Sequence, residues 1–133
     1  MILPKVTYTD YQTVITAQNL NNIQDAIIDL ENQCGNYATC SSTASTAAKI
    51  ATISSNANFA LVTGAVIAVR FTNTNSYAST VENPVTLNVN NTGAKQIYYA
   101  GAAAPTGTNT TAYGRSGYVN YYYYDGTYWV FMS

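Results

Sequence analysis

Apolar residues recur near the start of the chain at spacings of three, four and three: Leu20, Ile23, Ile27 and Leu30. These are successive a and d positions of a heptad, and Cys34 falls on the next a position. The spacing predicts a helix over about 17–33, capped by the Thr16 hydroxyl and stopped at Gly35, with Asp25, Asp29 and Glu31 off the apolar stripe. Before it, Val6 to Ile15 reads as an extended, β-leaning arm. Further on, the period drops to two. Ile67, Val69 and Phe71 alternate with Ala68 and Arg70, and Val85, Leu87 and Val89 alternate with Thr86 and Asn88. Each run reads as a half-buried strand, and Ala47 to Ile53 is a further candidate. The run Asn90-Asn91-Thr92-Gly93 turns the chain into a strand at Lys95 to Tyr99, and Ala100 to Ser116 reads as structureless. Two β-prone runs, Tyr118–Tyr124 and Thr127–Met132, flank Asp125-Gly126, a pair suited to a type I′ hairpin turn.

The helical stripe has two readings. It is either the buried face of a helix packed on its own domain or the seam of a short parallel bundle between identical chains. Two heptads are too few for an isolated coiled coil, so a bundle would need the β domain to hold it together. Ala26 and Ile28 widen the apolar face, which suits three strands at least as well as two, and Leu20, Ile23, Ile27 and Leu30 are then the oligomer interface. The expected fold is mainly β: an N-terminal arm and short helix (1–35), then a compact antiparallel sandwich or barrel-like domain (36–133), assembled as a trimer.

Composition narrows the function. The chain has 133 residues, 5 Lys+Arg, 6 Asp+Glu, no His and only 8% charged residues. So few cations cannot build a phosphate-neutralising surface, which argues against nucleic-acid binding. Without His there is no Ser-His-Asp triad, Cys-His pair or His-bearing metal site, and two cysteines alone do not make a metal centre. No apolar run approaches the roughly 18 residues of a membrane span. Met1 to Lys5 lack the features of a signal peptide, so Cys34 and Cys40 are expected as free thiols made in a reducing cytoplasm. The β region offers only Glu82 and Asp125 as acids, too little for a glycosidase pair, and no phosphate-binding fingerprint is present. An enzyme and a cofactor are therefore not expected.

Thr, Asn and Ser supply 43 residues and Tyr another 13, while Leu, Ile, Val and Phe number only 27. Tyrosine must therefore either fill the core or face a partner. Alternation along Tyr121–Tyr124 sends about half of that run away from any single core. Tyr98, Tyr113, Arg115, Tyr118, Tyr121 and Tyr123 are the candidate ligand surface, since exposed tyrosine gives rigid, amphipathic contact area and can stack on sugar rings.

Several stretches carry a resemblance. TAQNLNNIQDAI at 16–27 resembles the short helix that opens many small structural proteins of tailed phages and prophages of Gram-positive gut bacteria. STAAKIAT at 45–52, LVTGAVIAVRFT at 61–72, NPVTLNVNNTGAKQIY at 83–98 and YDGTYWV at 124–130 are similar to a module of phage fibre and receptor-binding proteins. The resemblance implies a virion appendage, usually a homotrimer, whose N-terminal part docks on capsid or tail proteins and whose β-rich tip faces outward. The expectation is a fibre or receptor-binding tip contacting host cell-surface carbohydrate. The alternative is a capsid-surface head fibre or decoration protein with a mainly architectural role. No ligand residue carries over by position.

Overall fold

The computed structural model describes residues 14–33, 35–99, 102–103 and 114–132, with Thr7 and Thr9. Most of the expected arm, Cys34, Tyr113 and most of 100–113 lie outside the described residues.

The helix α1 spans Ala17–Gln33. Its start is a reciprocal cap: Asn19 N–H donates to Thr16 Oγ1 (3.2 Å), and Thr16 N–H donates to Asn19 Oδ1 (3.0 Å). Its end is tied to the domain that follows. Gly35 turns the chain with φ +77, and the Glu31 carbonyl in the last turn accepts from Asn36 Nδ2 (2.8 Å) and Asn56 Nδ2 (3.5 Å). Asn32, the buried residue of α1, accepts the Ala60 N–H at 3.0 Å.

Eight strands follow: β1 (Asn36–Cys40), β2 (Ala48–Thr52), β3 (Val66–Phe71), β4 (Thr86–Val89), β5 (Lys95–Tyr99), β6 (Ala102–Ala103), β7 (Asn120–Tyr124) and β8 (Trp129–Phe131). They run in the order β4-β2-β1-β3-β7-β8-β5-β6, and a β4–β5 pairing closes the first seven into a barrel. The expected mainly β, barrel-like domain behind a short helix is therefore present. Its pairing is mixed, however, and not antiparallel throughout: β1–β3, β2–β4 and β5–β8 are parallel. Parallel neighbours require long connections, and segments such as 53–65 and 72–85 carry no signal of where they return the chain. Within the stretch read as structureless, Ala102–Ala103 pairs with β5.

The interior combines small residues with aromatic rings. Ala38, Cys40 and Ala51 face inward from β1 and β2, and Phe71, Tyr122, Tyr124 and Trp129 share the same core, with Phe71 beside Cys40 in register. Tyr124 packs on Trp129 at 5.3 Å and Tyr122 tilts against Phe71 and Phe131 at 6.4 and 5.5 Å. The Trp129 indole N–H has no acceptor among the described residues. The Cys40 thiol is free and buried.

The turn expected at 90–93 is present, whereas the one at Asp125-Gly126 is of another type. The positive-φ pair is Asn90-Asn91 (φ 48 and 58), with Thr92 N–H bonded to Val89 C=O at 3.0 Å, the backbone pattern of a type I′ turn. At Asp125-Gly126 only Gly126 has positive φ (+104), and β7 and β8 meet at Tyr124 and Trp129, leaving a four-residue loop. Asp125 Oδ1 accepts from the Thr127 and Tyr128 N–H groups at 2.8 and 2.7 Å, so its carboxylate builds the loop.

Lys49 points into the barrel and is almost fully buried, and Nζ donates to the carbonyls of Thr43 (2.9 Å) and Ala44 (3.1 Å). Burial pushes its pKa below the ordinary 10.5, partly countered by nearby Cys40. The folded state therefore disfavours the ammonium. That cost is fully present below the folded pKa and is relieved as pH rises through it towards 10.5. In urea unfolding between pH 7 and 10, the native chain is expected to gain stability relative to Lys49→Met as pH rises. A pH-independent difference between the two contradicts this.

Candidate functional site: an aromatic outer wall and its groove

The alternation that fills the barrel also dresses its outside. On β7, Tyr122 and Tyr124 are buried, whereas Tyr121 is exposed and Tyr123 half-buried. The strand registers place these outward residues in two rows. One runs Tyr37–Ala68–Tyr121, with Met132 at its end through a 2.9 Å bond to the Tyr121 carbonyl. The other runs Val66–Tyr123–Val130–Tyr98. The outer wall over β1, β3, β7, β8 and β5 is thus largely apolar and aromatic.

Tyr98 lies on this wall, stacked on Tyr128 with centroids 3.9 Å apart. The Tyr128 hydroxyl hydrogen-bonds Tyr98, and this bond, desolvation and the charge of Asp125 hold the Tyr98 phenol above its ordinary 10.0. Its ring is therefore engaged within the chain. Arg115 and Tyr118 sit together on the loop before β7, with the guanidinium 4.3 Å from the ring centroid. Tyr121 and Tyr123 belong to the two rows, and Tyr113 lies outside the described residues. The candidate ligand surface therefore divides into a Tyr98–Tyr128 stack and an Arg115–Tyr118 corner.

That corner borders a groove of about 200 Å³ lined by Tyr37, Val69, Arg70, Gly117, Tyr118 and Val119. Sequence reasoning missed Tyr37 because the short, small-residue strand β1 was not recognised. Arg70 was legible, since it alternates with inward Val69 and Phe71. The loop is pinned by Asn120, which is buried under it. Its Nδ2 donates to the carbonyls of Val69 (3.1 Å), Arg115 (3.0 Å) and Tyr118 (3.1 Å), and its Oδ1 accepts the Arg115 N–H (3.1 Å). Ser116 N–H adds a bond to Thr74 Oγ1 at 3.1 Å.

The helix presents a second surface. Leu20, Ile23, Ile27 and Leu30 are 58, 46, 53 and 60% exposed, so the barrel does not cover the stripe. Asp25 and Glu31 are exposed beside it. Among the described residues no group of acids or cysteines is arranged to hold a metal ion, and no helix is long and apolar enough to cross a membrane. No family model, curated protein or solved structure matches this chain.

Proposed function

We propose that this chain is a phage virion structural protein: a homotrimeric fibre or receptor-binding tip. In this reading α1 forms a parallel three-helix bundle that docks on capsid or tail proteins, and the barrel carries its aromatic wall outward to host surface carbohydrate. The observation that carries the reading is the exposed stripe at heptad spacing on a helix whose end is fixed to a closed barrel. An amphipathic helix is stable chiefly when its apolar face is buried, and within one chain this face is not. Each of the four residues stands to gain about 1 kcal/mol on full burial, half of what a whole Leu or Ile side chain contributes. The sequence resemblance supplies the virion context. The role is binding and assembly, without catalysis or a cofactor, and Asp125 is already committed to its loop.

Immunogold labelling of particles induced from the cell that carries this coding sequence tests the location. Gold at the tail tip is expected. Gold on the head shell would favour the architectural head fibre or decoration role, and particles without label would contradict a virion protein.

A further inference from the structure

The groove beside Tyr118 holds a chemical bias that the carbohydrate reading does not by itself require. The chain has only two arginines, and both flank this corner: Arg70 lines the groove, and Arg115 lies on the Tyr118 ring. Among the described residues no acidic side chain lines the groove, and neither guanidinium is paired with a carboxylate. In a protein with 8% charged residues, one arginine lining the groove and a second on the ring that borders it, with no acid among the described lining residues, bias the groove towards positive charge. A guanidinium presents a planar fork of donors that matches a carboxylate or phosphate. Exposed charge pairs contribute little alone, so the flat faces of Tyr37 and Tyr118 must supply contact area as well. The loop is already fixed by Asn120 and Ser116, so binding need not order it.

We propose that this groove binds a single sugar ring bearing an anionic group, with a guanidinium on the anion and the ring against Tyr37 and Tyr118. The volume of about 200 Å³ is below the usual range for drug-sized ligands and suits one ring. The inference rests on the carbohydrate-binding reading and narrows it to acidic saccharides.

The test is amide chemical-shift mapping on the full chain, titrated with glucuronate, glucose and acetate, with binding of whole cell-wall polysaccharide measured in parallel. Glucuronate is expected to shift Tyr37 and Gly117–Val119 and to bind about 10-fold tighter than glucose. Arg70→Gln should remove most of that preference, and Arg115→Gln provides a second variant if the first fails to fold. Equal binding of glucose and glucuronate would overturn the anionic preference while leaving carbohydrate binding intact. If acetate matched glucuronate, the groove would be an anion site only and the saccharide assignment would fail. If neither sugar shifted the groove but polysaccharide still bound, the groove assignment would fail and the broader reading would survive. Loss of all polysaccharide binding would remove both.

Discussion

Replacing Ile23 and Ile27 together by aspartate is expected to convert the assembled protein to single chains while leaving each barrel folded. Both residues lie on the a/d stripe and are about half exposed in the isolated chain, so the barrel core does not depend on them. In a parallel bundle each substitution places three carboxylates around one axis. Desolvating such charges without partners costs several kcal/mol, and mutual repulsion adds to it. The stripe as a whole gains only a few kcal/mol per chain by burial, so two such layers exceed what holds the bundle together. Native mass should fall about threefold, with the far-UV signal of the β domain retained. An unchanged mass would show that the stripe is not the seam.

Asn120→Ala is expected to destabilise the barrel by about 2–4 kcal/mol and to free the Gly114–Val119 loop. The amide is 2% exposed, and its two N–H bonds are shared among three carbonyls while its oxygen takes the Arg115 N–H. Alanine strips all four contacts in a place water reaches poorly, and each stranded buried group costs about 1–3 kcal/mol before relaxation. Asn120→Asp should not rescue the protein, because it keeps the acceptor and turns a carboxylate oxygen toward three carbonyls. Urea unfolding gives the loss in stability, and amide exchange locates it. Fast exchange confined to Gly114–Val119 is the expected pattern, and native-like protection there in Asn120→Ala would contradict it.

The sequence made some of this legible and hid the rest for physical reasons. The helix was clear because a 3-4-3 spacing and a Thr16 cap act locally, and Ala17–Gln33 forms as the spacing predicts. The inward faces of β3, β4 and β7 were clear because alternation reports directly which side is buried. Strand β1 was hidden because its inward residues, Asn36, Ala38 and Cys40, are small or polar and carry no apolar signature. The parallel pairings were hidden because direction is decided by long connections whose composition is silent on it. Asparagine was the residue type most misread. At 90–93 it read as turn material, but Asn32, Asn36, Asn75 and Asn120 are buried, and all four serve backbone groups through their side chains. The groove was half legible. Arg115 and Tyr118 were singled out together, whereas Arg70 reaches them through the β3–β7 pairing and Tyr37 through β1–β3.

The central claim is that the exposed stripe of α1 joins copies of this chain. Light scattering on the purified protein across a range of concentrations tests it most directly. A concentration-independent mass of three times 14.3 kDa is the predicted result. A mass of 14.3 kDa throughout that range would contradict it.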